Sequence, residues 1–240
     1  MKAVIVIPTY NEADTIGELI DGIFALELDL EILVVDDHSP DGTAELIRKR
    51  MEHEKRLSLI ERPKKMGLGS AYLDGFRVAL EKGADVIFEM DGDLSHHPKY
   101  IPEMLVALKE ADLVVGSRYI KGVSVVDWPM KRLLLSYCAN RWARWMTAIP
   151  VHDMTSGFKA FRREALQMLD FSDIQSDGYS FQIEVNARLY RKHFRIKEIP
   201  IIFSDRNIGE SKMNRAILFE AVITVWRLFF ERLFQISRKA

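Results

Sequence analysis

Five short apolar runs, alternating with stretches of helical periodicity, constrain this chain more than any other feature. The runs occupy residues 4–7, 31–37, 57–60, 85–90 and 113–117. Between them, Ile16, Leu19, Ile20 and Ile23 recur at helical spacing, and 43–54 and 70–81 also read as helices. Pro98 suits the first turn of another helix reaching about residue 110, since its missing N–H has no bond to lose there. Strands apolar on both faces and separated by helices predict an α/β fold, a mostly parallel sheet covered on each side. Such sheets bind ligands beyond the carboxyl ends of their strands.

Three runs end in polar clusters where that rule places a ligand. Tyr10, Asn11 and Glu12 follow the first, Asp36 and Asp37 end the second, and Asp91-Gly92-Asp93 follows the fourth. Asp and Gly also end strands in ordinary turns, so each cluster alone has a plain structural reading. Three together point to a site. Two carboxylates one residue apart suit a hard divalent cation, Mg²⁺ or Mn²⁺, that also carries phosphate oxygens. Gly92, without a Cβ, would let the backbone approach a ligand. A dinucleotide-binding reading fails, because Pro8-Thr9-Tyr10-Asn11-Glu12 stands where a Gly-x-Gly-x-x-Gly turn would be needed. No Walker-type phosphate loop is present. A haloacid-dehalogenase-type phosphatase would carry its acidic motif after the first strand and continue into Gly-Thr; here it follows the fourth and continues into Leu-Ser-His-His. A nucleotide-sugar site fits better. The aromatic and carboxylates near the first two strands would hold base and ribose, and Asp91 with Asp93 a metal on the diphosphate.

Beyond Ser117 the pattern changes. Residues 118–127 form an excursion, and 128–149 read as an amphipathic helix with Lys131, Arg132, Arg141 and Arg144 among Trp and Tyr residues that favour a membrane interface. Residues 153–161 return towards the sheet, 181–193 are helical, and 196–203 are strand-like around Pro200. A last helix, 216–235, aligns Glu220, Thr224, Arg227, Glu231 and Gln235 on one stripe, with Leu218, Val222, Val225, Phe229 and Leu233 opposite. It is set apart from a catalytic domain over 1–215. A net charge of -1 gives no bulk electrostatic case for a nucleic-acid partner. Cys138 is the sole cysteine, which rules out an intramolecular disulfide. No secretory leader is visible, and no apolar run approaches the roughly 18–20 residues a bilayer span requires. Membrane contact is therefore expected to be peripheral, on the cytoplasmic side.

The three clusters resemble those of family-2 glycosyltransferases with the GT-A fold. Asp36-Asp37-His38-Ser39-Pro40-Asp41-Gly42-Thr43, Gly116-Ser117-Arg118-Tyr119, Thr155-Ser156-Gly157-Phe158, and Phe203-Ser204-Asp205-Arg206 through Gly209-Glu210-Ser211-Lys212 narrow the likeness to the dolichyl-phosphate mannose synthase type. That resemblance implies an inverting transfer of mannose from GDP-mannose to a polyprenyl (dolichyl) phosphate. It places Pro8, Tyr10, Glu12, Val35 and Asp37 around guanosine. Asp91, Gly92 and Asp93 would meet diphosphate and metal, with Ser95 as a further ligand where some relatives have glutamine. Arg118 and Arg132 would hold the acceptor phosphate, and Arg206 and Lys212 would neutralise phosphates from a closing loop. Some relatives carry C-terminal transmembrane hairpins that this chain lacks, so a membrane-anchored partner subunit is a further expectation. Two rival readings share the scaffold: a UDP-glucose-dependent polyprenyl-phosphate glucosyltransferase, and a non-catalytic module that recruits partners to membranes.

Overall fold

The computed structural model describes residues 1–174, 176–204 and 215–237. Strands β1 (Ala3–Thr9), β2 (Leu30–Asp36) and β3 (Leu57–Glu61) alternate with helices α1 (Ile16–Phe24), α2 (Thr43–Met51) and α3 (Leu68–Glu81). Then follow β4 (Val86–Glu89), α4 (Ile101–Ala107) and β5 (Leu113–Ser117). A short strand β6 (Val125–Val126) precedes α5 (Met130–Thr147), β7 (Lys159–Arg162), α6 (Arg163–Gln167) and α7 (Gly178–Arg191). Strands β8 (Ile196–Pro200) and β9 (Phe203–Ser204) and helix α8 (Arg215–Ser237) complete the order.

Seven strands form one sheet in the order β3-β2-β1-β4-β7-β5-β8. All neighbours run parallel except β7, which lies antiparallel between β4 and β5. The returning segment 153–161 therefore enters the middle of the sheet, from the end where β4 and β5 leave it. Apolar side chains pack on both faces, as continuous β-branched strands require. One core joins Ile5, Ile32 and Phe88 to Ile16, Leu19, Ile20 and Ile101 from α1 and α4. The other joins Val6, Val35 and Ile87 to Tyr72, Phe76, Phe181 and Val185 from α3 and α7.

Element ends depart from the sequence reading where local chemistry intervenes. The helix expected over 43–54 stops at Met51, and the Arg50 carbonyl accepts from both His53 and Glu54 N–H. The turn at Pro98 is a 3₁₀ turn capped by His97, whose Nδ1 accepts from Lys99 N–H, before α4 begins. Helix α5 starts only after Pro129, leaving Trp128 outside it. The last helix packs against α7 and α5. Its polar stripe faces the protein: Arg227 pairs with buried Glu184 at 2.8 Å, Glu231 with Arg191 at 2.5 Å, and Glu220 accepts Asp177 N–H at 2.8 Å. Val225 and Leu228 join a third core with Ala143 and Met146 of α5. Phe219, Val222, Ile223, Trp226, Phe230, Leu233 and Phe234 are left exposed. Glu184 on α7, already held by Arg188, takes Arg227 as a second cation, and Arg191 on the same helix takes Glu231.

Candidate functional site

The carboxyl ends of β2, β1 and β4 converge on the expected residues. Pro8 and Val35 are register partners on adjacent strands and both are buried. Thr15 Oγ1 donates to the Gly92 carbonyl at 2.8 Å, which ties the segment after β1 to the acidic turn after β4. Asn11, His38 and Leu94 each hold a positive φ near 60°. Such non-glycine conformations are strained and gather where loops are held in one functional shape. All three lie in the turns that close these strands.

Tyr10 is half-buried, with Lys65 Nζ 3.9 Å from the centre of its ring. The Glu12 N–H donates to Thr43 Oγ1 at 3.1 Å, and its carboxylate accepts from Thr15 Oγ1 at 3.3 Å. Asp36 accepts from Thr9 Oγ1 at 2.7 Å and Ser39 Oγ at 2.6 Å, so it braces the strand ends. Asp37 accepts Met66 and Gly67 N–H at 3.0 and 3.1 Å and sits 2.8 Å from Arg62. Its carboxylate thus holds the loop of Lys64 and Lys65 against the site. Gly67 (φ +104) has no room for a side chain, since a Cβ would lie 2.3 Å from the Asp177 carboxylate.

In the acidic turn, Asp91 accepts from Tyr72 Oη at 2.8 Å, and the Gly157 backbone lies so close that a Cβ would come within 3.0 Å of Asp91 Oδ2. Burial, and then the Asp91 charge, push the Tyr72 phenol well above its usual value, so it remains a donor. Asp93 is buried and accepts Ser95 N–H at 3.1 Å and Ser95 Oγ at 2.5 Å. Ser95 therefore aims Asp93 as well as standing beside it. A Cβ at Gly92 would meet Thr9, Ile7 and Pro8 at ordinary contact distances, 3.4–3.5 Å. His96 is buried, stacked on Phe158, with Nδ1 3.8 Å from Asp91. Burial lowers its pKa despite the nearby carboxylates, which keeps the imidazole neutral.

Arg118 leaves β5 buried, its guanidinium bound to Asp153 through Nε and Nη2, each at 2.6 Å, and to Thr155 Oγ1 at 2.8 Å. Asp153 outweighs the burial that would lower this pKa, so Arg118 stays charged. Trp128 lies between the two expected acceptor-site arginines: its ring is 5.5 Å from Arg118 Cζ and 4.2 Å from Arg132 Cζ. The buried indole Nε1 has no hydrogen-bond partner among the described residues. Segment 153–157 links the two halves, gripping Arg118 at one end and abutting Asp91 at the other. Arg206 and Lys212 lie outside the described residues.

Sequence reasoning missed Asp153, Trp128 and a buried triad below the acidic turn. Glu89 on β4 and Lys159 on β7 are register partners, both fully buried. The Gln182 side chain joins them, accepting from Lys159 Nζ and donating to Glu89. Burial pushes Glu89 up to about 7 and Lys159 down to about 8. A charged residue inside an apolar strand was the available signal for each.

The family model described as Glycosyl transferase family 2 matches residues 4–169. Undecaprenyl-phosphate mannosyltransferase of Micrococcus luteus is 41% identical over 231 residues, covering 95% of this chain and 93% of that protein. Polyprenol monophosphomannose synthase of Mycolicibacterium smegmatis is 40% identical over 226 residues, 93% of this chain and 85% of its own. Glucosyl-3-phosphoglycerate synthase from Mycobacterium tuberculosis, solved with Mn²⁺, uridine-diphosphate and phosphoglyceric acid, is similar with a TM-score of 0.69 at 18% identity, over 95% of this chain and 78% of that one. At that identity the likeness is one of fold, and it agrees with the GT-A arrangement that the sequence implied.

Proposed function

The chain belongs to glycosyl transferase family 2, and from that premise we propose that it transfers mannose from GDP-mannose to a polyprenyl phosphate at a membrane surface. One observation carries the reading: segment 153–157 places an acidic turn, Asp91 and Asp93, beside a cationic pocket of Arg118, Trp128 and Arg132. The first suits a metal-bound diphosphate and the second an anionic acceptor.

Asp91 and Asp93, with the Ser95 hydroxyl, would hold Mg²⁺ or Mn²⁺. The donor set fits, since hard ions take oxygen ligands and leave positions for phosphate. When bound, the ion would offset charge on the departing diphosphate. Pro8, Tyr10, Glu12, Val35 and Asp37 are assigned to the guanosine side, and Arg206 and Lys212 to phosphate neutralisation.

A phosphate monoester is already anionic near neutral pH, so the reaction needs little from a general base. Its difficulty is the approach of two anions, which preorganised cations relieve. Arg118, fixed by Asp153 and Thr155, and Arg132 orient the acceptor; the Trp128 indole N–H supplies a further donor. An acceptor phosphate oxygen attacks the anomeric carbon, a new C–O bond forms, and the bond to GDP breaks with inversion. Neutral His96 shapes the turn and carries no proton in this scheme. The exposed apolar face of α8, with Met130, Leu134, Leu135 and Trp145 on α5, supports docking at a lipid interface.

The test is transfer of labelled mannose from GDP-mannose to a short polyprenyl phosphate in detergent with Mg²⁺ or Mn²⁺, run beside UDP-glucose. Metal-dependent mannolipid is expected; glucolipid instead, or no lipid product, would overturn the proposal. Arg132→Gln should lower kcat/KM for the acceptor by about 10- to 100-fold, the scale of a lost charged hydrogen bond. The KM for GDP-mannose should stay unchanged. Arg132 is half-buried, so unfolding free energy should move by less than about 1 kcal/mol.

A further inference from the structure

Between the C-terminal half of α5 and α8 lies a groove of about 680 Å³. Arg141, Arg144, Arg232 and His152 line it with Tyr137 and Trp145; no carboxylate among the described residues lines it, and Glu198 lies behind it, 2.8 Å from His152 Nδ1. This departs from how the chain treats its other arginines. Arg50, Arg62, Arg118, Arg188, Arg195 and Arg227 are each ion-paired with an acid. Arg162 and Arg163 donate to backbone carbonyls. Arg141, Arg144 and Arg232 pair with no carboxylate among the described residues; the contacts that two of them make are 3.4 Å approaches, Arg141 to Tyr137 Oη and Arg232 to the Met146 carbonyl. Arg141 and Arg144, with no acid partner among the described residues, therefore share one groove with Arg232, which sits at the carboxyl end of α5, in a protein of net charge -1.

The surroundings indicate what kind of anion belongs there. Trp145, at the rim, is 75% exposed. On α8, the helix that supplies Arg232, Phe230 and Phe234 are part of the uncovered aromatic face. Trp and Phe beside unpaired arginines suit the headgroup layer of a bilayer, where rings enter the interface and guanidinium groups meet phosphates. At its other end the groove reaches Tyr119, next to Arg118 of the acceptor pocket.

We propose that this groove is a second phosphate site, separate from the acceptor pocket, which takes the phosphodiester headgroup of an anionic phospholipid. It sets the protein on the bilayer with Arg118 close to the lipid surface. The assignment rests on the reading that the acceptor is a lipid phosphate. Arg232 also neutralises the carboxyl end of α5 through Met146, so Arg141 and Arg144 are the informative residues.

The test is sedimentation of the full chain with vesicles of phosphatidylcholine alone or mixed with phosphatidylglycerol, without donor or acceptor. Wild type should prefer the anionic vesicles. Each arginine should contribute about fivefold, so Arg141→Gln/Arg144→Gln should lose about 30-fold on anionic vesicles and little on neutral ones. Arg141→Lys/Arg144→Lys, keeping the charge, should retain most of the binding. Should the double variant fail to fold, exposed Arg141→Gln alone carries the fivefold expectation. Equal binding of the Gln variant and wild type to anionic vesicles would overturn the proposal. So would displacement by inorganic phosphate beyond a chloride control of equal ionic strength, which would make this a site for soluble phosphate. Mannose transfer in detergent to the short acceptor should be the same in variant and wild type. Absence of that transfer in wild type would end the functional proposal, whereas charge-dependent vesicle binding stands or falls separately.

Discussion

Asp93→Asn is expected to lower mannose transfer by roughly 10²–10³, the scale of losing a preorganised electrostatic contact, while leaving the fold intact. Asparagine keeps an oxygen to accept from Ser95 N–H and Oγ, so the geometry of the turn survives. What disappears is one of two neighbouring negative charges. Without ligands, the melting temperature should therefore stay level or rise, because Asp91 is relieved of a like charge. With Mn²⁺ and GDP, wild type should gain stability with the logarithm of ligand concentration, and the variant should gain far less. Kinetics and thermal melting are both needed. A variant that loses activity and keeps the ligand-induced shift would show that Asp93 acts elsewhere than on the diphosphate. Wild-type turnover would make the acidic turn purely structural.

The second large effect concerns stability. Lys159→Met should cost about 1–3 kcal/mol in urea unfolding at pH 8, because buried Glu89 loses its cation and the Gln182 oxygen its donor. In the folded protein Glu89 already titrates near 7, raised chiefly by burial and held down by Lys159 and Gln182. Removing Lys159 raises it further. A carboxylate whose folded pKa exceeds its unfolded value contributes stability below the unfolded pKa, and that contribution is lost as pH rises through the folded one. The deficit of Lys159→Met should therefore shrink as pH falls from 8 to 5. Glu89→Gln/Lys159→Met should recover most of the loss, since replacing both members leaves no unpaired charge. An undiminished deficit in the double variant would mean that Lys159 acts through packing alone.

Much of the fold was legible because a parallel sheet leaves a strong imprint: strands buried on both faces must be apolar throughout, and their helices must show one apolar stripe. Ile16, Leu19, Ile20 and Ile23 declare α1 in this way, and all four are buried. The polar clusters after β1, β2 and β4 were legible for the complementary reason. Carboxylates at the end of an apolar strand have no packing role there, so their presence asks for another explanation.

Other features depended on partners distant in the chain. Asp153 could not be linked to Arg118 until β7 entered the sheet antiparallel, bringing residues 35 apart within 2.6 Å. Nothing near Glu89 or Lys159 in sequence reveals that Gln182 bridges them. The orientation of α8 belongs to the same class. Its sequence contains a polar stripe and an apolar face, and either can turn inward. Glu184 and Arg191 on α7 decided it by drawing Arg227 and Glu231 towards the protein.

By itself, then, the sequence determined the strand and helix alternation, the α/β class and the acidic ends of the strands, because these follow from local periodicity and side-chain type. Tertiary structure alone decided which charges are neutralised and which are left to meet a ligand. Arg62, Arg118 and Arg227 found acids, whereas Arg141, Arg144 and Arg232 did not. Pairing of charges is a matter of distance and burial, and neither is written in the order of residues.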